Sequence, residues 1–256
     1  GDPAETPYPD YFADLVVSSR SLSDGASAVA DDEMMRVLRP WGGVAVIGRL
    51  PDMQIVERGA LPGAGRWTHQ YCDPANTLTS TDRRVRGPLG MLWFTDFESV
   101  RMTDRHGRPP APLFAEGRLF TLGRHALHVL NAYNGSLLWE YEVEDILAPY
   151  DQEHLVGTSV TGSPFCLGDG SVYLRHEDYA VCIDAATGEE RMRFTMPEVA
   201  DGEACKWGFI ATDDGVLFGS AANPEHVTMW AYIESEMEGM PGESDALFAL
   251  DAATGE

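Results

Sequence analysis

Three segments of the chain repeat one another. Residues 127–141 (LHVLNAYNGSLLWEY), 180–194 (AVCIDAATGEERMRF) and 247–256 (LFALDAATGE) each run from a short apolar stretch through Asp or Asn to Thr or Asn and then Gly. A second signal precedes each: Gly117-Arg-Leu-Phe120, Gly170-Ser-Val-Tyr173 and Gly215-Val-Leu-Phe218. Recurrence at a long period means one supersecondary unit copied along the chain, and it constrains the fold more than any local propensity does. The anchors Asn131, Asp184 and Asp251 are 53 and 67 residues apart. Gly117 precedes Asn131 by 14 residues and Gly170 precedes Asp184 by 14, whereas Gly215 precedes Asp251 by 36. The third copy therefore carries 22 extra residues, at about 222–245, between its second and third strands.

The second copy is the cleanest. Residues 162–167 read as a strand, Gly168-Asp-Gly170 as a turn, and residues 172–175, 181–184 and 191–195 as three further strands. Asp-Gly and Thr-Gly supply the positive φ that tight hairpins need. Four antiparallel strands in series, repeated at this length, predict propeller blades rather than a sandwich. Alternation within the strands is imperfect, as expected where blades stack face to face and bury both faces. The expected fold is mainly β: a partial β-propeller of four-stranded antiparallel blades, with sheets at about 111–143, 161–195 and 206–256, the last incomplete.

At these residues the chain resembles the pyrrolo-quinoline quinone (PQQ) repeat propellers, whose blades carry Ala-x-Asp-x-x-Thr-Gly-x-x-x-Trp. Residues 184–188 and 251–255 match directly, and residues 131–135 match with Asn131 for Asp and Asn134 for Thr. Trp139 stands where the family places its docking Trp, and Met192 takes that place in the second copy. Trp67-Thr-His-Gln-Tyr-Cys-Asp-Pro-Ala-Asn-Thr77 looks like the start of such a propeller, and Gly87-Pro-Leu-Gly-Met-Leu-Trp93 is similar to the outer strand that closes the ring against the last blade. The resemblance covers about residues 66–256. It implies a propeller; for activity, family dehydrogenases need a catalytic Asp, a stacking Trp, a calcium held by carboxylate and amide oxygens, and commonly adjacent cysteines. No adjacent cysteines occur here.

Residues 1–58 have no blade pattern. Ala13-Asp-Leu-Val-Val-Ser18 is strongly β, and a helical pattern at about 26–38 follows, with Ala30, Met34, Val37 and Leu38 on one face. Asp31, Asp32 and Glu33 lie early and Arg36 and Arg39 late, which suits the helix dipole, and Pro40 stops the helix. Residues 44–48 (VAVIG) read as a buried parallel strand. This small α/β, Rossmann-like unit resembles the late part of a class I S-adenosylmethionine methyltransferase, on Ala13-Asp-Leu-Val-Val17 and Glu33-Met-Met-Arg-Val-Leu-Arg-Pro-Trp-Gly-Gly43, with Trp41 inserted in the turn. The glycine-rich turn and acidic ribose ligand of that family's cofactor half are absent before Ala13, so the chain alone is expected not to bind S-adenosylmethionine. The organisation expected is 1–58, the late part of a methyltransferase-like unit; 59–110, a linker with propeller-entry and closing-strand segments; and 111–256, about three blades. The chain is read as a piece of a longer protein.

The formal net charge of −23 is unevenly placed: −5 over residues 1–60, +3 over 61–130 and −21 over 131–256. An acidic body argues against duplex nucleic acid, whose phosphates need a basic face, and no stretch approaches a membrane span. The basic strip Arg83, Arg84, Arg86, Arg101, Arg105, His106 and Arg108 has two readings. One is an anion or cofactor site at the propeller mouth; the other, preferred, is a loop docked on the acidic body by ion pairs. The candidate cofactor-binding residues are Arg105, His106, Arg108, Trp67 and Asn76.

Other residue types read structurally. Cys72, Cys166, Cys182 and Cys205 lack paired zinc spacing. Cys166 and Cys182, on the first and third strands of one blade, should lie ~9–10 Å apart, beyond disulfide reach. His125 and His128 point to opposite faces of a strand and share no ion without a bulge. Asn131, Asp184 and Asp251 recur at one turn, so their side chains should bond the N–H groups of that turn. Trp93 and Trp139 are expected to pack between blades. No metal site is expected. The favoured function is a non-catalytic scaffold that binds a protein or small-molecule ligand on the propeller face. The alternatives are a PQQ-dependent oxidoreductase, with PQQ and calcium held in a longer protein, and a methyltransferase with its catalytic half upstream.

Overall fold

The computed structural model describes residues 5–18, 30–95, 110–144, 146, 163–198, 206–222 and 244–256. Among the described residues the amino-terminal unit is a three-stranded sheet with one short helix. Strand β1 (Leu15–Val17) runs parallel to β2 (Gly43–Ile47), with Val16 opposite Ala45, and helix α1 (Asp31–Val37) comes between them in the chain. Met34, and Leu38 just past the helix, pack on Ala45 as the sequence pattern requires. Ala30 does not join them. It is the extended residue before the helix and is exposed, so the apolar stripe begins one turn later than its spacing implied. The expected residues 26–29 of the helix lie outside the described residues.

A second difference concerns β2. Its other neighbour is β3 (Gln54–Arg58), paired antiparallel, which the sequence pattern did not reveal. Only the face under α1 is covered. On the opposite face Leu15, Val17 and Ile55 are 58 %, 48 % and 65 % exposed, so β2 is not the doubly buried strand that its apolar run suggested.

The repeats fold as antiparallel meanders. Blade 1 is β4 (Leu113–Ala115), β5 (Arg118–Leu122), β6 (Ala126–Asn131) and β7 (Leu137–Glu142). Blade 2 is β8 (Phe165–Gly168), β9 (Ser171–His176), β10 (Tyr179–Asp184) and β11 (Glu190–Thr195). Among the described residues blade 3 has three strands, β12 (Lys206–Asp213), β13 (Val216–Ala222) and β14 (Ser244–Asp251). Most of the extra residues of the third copy, 223–243, lie outside the described residues. The first hairpin of each blade turns on two residues of positive φ: Glu116-Gly117, Asp169-Gly170 and Asp214-Gly215. That is the type I′ geometry whose twist matches the flanking strands.

Blade 2 shows why strand alternation is blurred. Phe165, Leu167, Val172, Leu174, Val181 and Ile183 face blade 1 in one core. Cys166, Tyr173, Ala180, Cys182 and Phe194 face blade 3 in another. Both sides of the sheet are buried, at ~1.5–3 kcal/mol for each large apolar side chain, so no polar side remains to alternate with. Cys72, Cys166 and Cys182 are buried free thiols, and Cys205 lies outside the described residues.

The repeated Asp or Asn closes its own turn. Asp184 Oδ1 accepts from Ala186 N and Thr187 N, both at 2.8 Å. Asp251 Oδ1 accepts from Ala253 N at 2.9 Å and Thr254 N at 2.8 Å, and Asn131 Oδ1 from Tyr133 N at 2.9 Å. The glycine that follows receives an aromatic ring from the preceding outer strand. A Cβ on Gly188 would lie 2.7 Å from the Trp139 ring, and one on Gly255 would lie 3.4 Å from Phe194. In blade 2 the docking group is therefore Phe194, two residues past Met192, and the substitution at 192 leaves the contact in place. Trp93 repeats the relationship upstream: a Cβ on Gly135 would lie 2.4 Å from its ring, and its Nε1 donates to Ala132 O at 2.8 Å.

Candidate functional site

The three type I′ turns lie around one cleft, and a short segment sews their strands together. Trp67 and Phe114 exchange backbone hydrogen bonds of 2.8 and 2.7 Å, which ties the segment to β4. Thr68 O accepts from Leu167 N at 2.9 Å, which ties it to β8. His69 Nε2 accepts from Thr212 N at 3.2 Å, which ties it to β12. The first strands of blades 1, 2 and 3 thus bond in turn to three consecutive residues, Trp67, Thr68 and His69.

Accepting at Nε2 leaves the imidazole proton of His69 on Nδ1, where it is donated to Thr68 Oγ1 at 2.9 Å. His69 is 3 % exposed, and burial lowers its pKa below the usual 6.5. It is a neutral, doubly bonded ring. The chain returns at Cys72, whose N–H donates to His69 O at 3.0 Å and whose O accepts from Thr68 N at 2.8 Å. Burial pushes the Cys72 thiol up, away from thiolate chemistry.

The cleft is about 620 Å³ and takes in residues from all three turns. Its floor is tight: a Cβ on Gly168 would lie 2.5 Å from Thr212 Cγ2, so only glycine lets blades 2 and 3 meet there. On the amino-terminal side Trp41 covers Gly117, where a Cβ would lie 3.0 Å from the indole. The rim carries carboxylates on Glu116, Asp169, Asp213 and Asp214 and guanidinium groups on Arg66 and Arg118. Arg118 Nη1 is 3.3 Å from Glu116 O and 3.7 Å from Glu116 Oε2. Ser171 Oγ is held by Arg191 Nη1 at 2.8 Å.

Of the sequence-derived candidates, the two that are described, Trp67 and Asn76, do not line this cleft. Trp67 turns its ring into the core between blades 1 and 2, with Nε1 buried and unbonded. Asn76 is exposed in a turn with φ of 56°. Arg101, Arg105, His106 and Arg108 lie outside the described residues. Arg84 bonds Tyr11 Oη at 3.3 Å and Pro62 O at 3.5 Å. His128 is 3 % exposed with Nδ1 2.6 Å from Glu140 Oε1, whereas His125 is exposed. Sequence reasoning missed His69, Arg66 and the turn carboxylates. Glu116, Asp169 and Asp214 were legible in principle, because each precedes the glycine of the repeated turn.

The described residues do not fit the calcium that the family resemblance implies. Among these, no group of three or more His, Cys, Asp or Glu side chains is placed to hold a metal ion. The rim carboxylates are spread over three turns, Glu116 at one, Asp169 at another, and Asp213 and Asp214 at the third.

No protein family matches the sequence, and no curated relative does. Solved structures similar to this chain include the quinohemoprotein alcohol dehydrogenase ADHIIG from Pseudomonas putida HK5, at 20 % identity and a TM-score of 0.47 over 75 % of this chain and 26 % of that one. The quinohemoprotein alcohol dehydrogenase from Comamonas testosteroni is similar at 19 % identity and a TM-score of 0.46, over 75 % and 26 %. A europium-containing methanol dehydrogenase is similar at 17 % identity and 0.44, over 75 % and 31 %. The chain thus spans 26–31 % of these proteins. Likeness at this level carries no argument about activity, and the propeller reading rests on the blades themselves. Nothing in these comparisons supports the methyltransferase resemblance of residues 13–43.

Proposed function

We propose that this chain is a propeller scaffold that binds a polar ligand or protein segment in the cleft at the hairpin end, without catalysing a reaction. One observation carries the reading. The polar groups at the floor are spent on structure: His69 holds Thr212 and Thr68, and Ser171 holds Arg191. The rim, by contrast, offers charge of both signs on exposed turns, namely Arg66, Asp169, Asp213 and Asp214. A site with a charged rim and a satisfied floor orients a ligand and supplies no nucleophile-and-base pair.

The test is a thermal-shift screen of polar small molecules and peptides of mixed charge, followed by titration of hits. Arg66→Ala and Asp214→Asn should weaken binding at unchanged melting temperature. PQQ with Ca²⁺ should not be taken up. Stoichiometric uptake of PQQ would overturn the reading in favour of the oxidoreductase alternative. S-adenosylmethionine, titrated calorimetrically, should show no heat.

A further inference from the structure

The first repeat departs from the other two at two neighbouring positions, and both departures meet the amino-terminal unit. Where the second and third copies carry Ala186-Thr187 and Ala253-Thr254, the first carries Tyr133-Asn134. Ala186 and Thr187 are exposed, whereas Tyr133 and Asn134 are half-buried. The Tyr133 ring meets Tyr11 edge-on, with centroids 5.5 Å apart. Asn134 Nδ2 reaches the two carboxylate oxygens of Asp14 at 3.4 and 3.3 Å. The turn itself asks for neither residue. Tyr133 serves it through its N–H, which donates to Asn131 Oδ1 as Ala186 N does to Asp184 Oδ1. Asn134 Oδ1 accepts from Ser136 N at 3.0 Å, and Thr187 Oγ1 and Thr254 Oγ1 do the same for Glu189 N and Glu256 N at 3.3 Å. Threonine therefore closes the turn equally well but is too short to reach Asp14.

The amino-terminal unit bends its backbone to present two rings. Tyr11 and Trp41 have φ of 61° and 59°, left-handed values that bulky residues rarely adopt. Tyr11 is held by Arg58, whose Cζ lies 4.9 Å from the ring centroid, and by Arg84, which donates to its hydroxyl at 3.3 Å. Trp41 lies on Gly117 of the blade 1 hairpin, whereas a Cβ on Gly170 of the blade 2 hairpin would meet nothing within 4 Å. The core of the unit, Met34, Leu38 and Ala45, shares no residue with the blade cores, so the two parts meet through side chains at turns. We propose that Tyr133 and Asn134 are a docking socket, by which blade 1 rather than blade 2 receives the amino-terminal unit and carries the Trp41 wall of the cleft. The socket is independent of what the cleft binds. Any occupant meets an indole on the blade 1 side and an uncovered turn on the blade 2 side.

Proton NMR of the 256-residue chain tests the socket without a ligand, because the ring current of an indole displaces the resonances of a glycine beneath it. The Gly117 Hα signals should be displaced in the parent, and Trp41→Ala gives their position without the ring. Tyr133→Ala combined with Asn134→Thr writes the turn of the second copy into the first. In that chain the Gly117 signals should move to the Trp41→Ala position. Gly135 N–H, which donates to Asn131 O at 2.8 Å, should keep its exchange protection, because the turn is intact. Gly117 signals that stay at the parent position in the double variant overturn the proposal. Faster exchange at Gly135 also overturns it, since the two side chains would then serve the turn and not the docking.

Discussion

The indole of Trp139 lies so close on Gly188 that a Cβ there would be 2.7 Å from the ring. One contact thus fixes how blade 1 leans on blade 2. The glycine is required twice over, since its φ is +79°. Gly188→Ala should cost ~1–3 kcal/mol for overpacking on top of ~1 kcal/mol of backbone strain. Gly170→Ala is the control: φ is +70° but nothing lies within 4 Å, so only the strain of ~1 kcal/mol remains. Urea melts with unchanged slope should rank the two variants in that order.

Asp184 tests the turn itself. Hydrogen bonds from Thr187 and Ala186 and its pairing with Arg191 hold its carboxyl at about 2, below the ordinary 3.8. The stability this contributes is full above pH 3.8 and is lost as pH falls toward 2. Asp184→Ala should cost about 1 kcal/mol at pH 7, because the freed N–H groups belong to exposed residues that water can satisfy. Asp184→Asn should cost less, and its deficit relative to the parent should vanish near pH 2. A ligand lost in Asp184→Asn at full stability would mean that the turn is a binding site.

His69 should show a pH dependence centred on another window. Its folded pKa lies below 6.5, so its contribution is full above pH 6.5 and declines as pH falls below that value, where only the unfolded chain takes up the proton. His69→Gln, whose amide oxygen can still accept from Thr212 N, should flatten that part of the stability curve. Nitrogen chemical shifts should show the proton on Nδ1 at pH 7. A proton on Nε2 would contradict the bond to Thr212.

Glu33 ties the start of the described chain to α1. It accepts from Thr6 N at 2.8 Å and Thr6 Oγ1 at 2.6 Å and is paired with Arg36 at 2.8 Å. Arg36 above all holds its carboxyl at about 2 rather than 4.5. Amide exchange at Thr6 should be slow above pH 4.5 and lose protection as pH falls toward 2, once corrected for intrinsic rates. Glu33→Ala should abolish the protection at every pH. Blade amides should not change, and a global loss would show that the two parts melt together.

The blades were legible because copies check one another. Strands 165–168, 171–176, 179–184 and 190–195 fall where the second repeat put them. The turn role of Asp184 was legible for the same reason, since a side chain repeated at one turn answers a need of that turn. The cleft was not legible, because residues from far-apart positions form it and repetition says nothing about His69, which occurs once. Ala30 misled because spacing alone carries no signal for where a short helix begins. Phe194 was missed because a fixed motif position, Met192, drew attention from its neighbour on the same face.

The stitch made by residues 67–69 sets an order of events on the ribosome. Thr68 can bond β8 only after blade 2 exists, and His69 reaches Thr212 across 143 residues of chain. At ordinary elongation rates that last partner emerges ~10 s later. Until then the ring nitrogen of His69 has no amide to accept from, and the nascent blades lack their common tie. Blade 3 therefore times this stitch, and a pause in synthesis between blades 2 and 3 would prolong the interval in which apolar blade faces stand open to other chains.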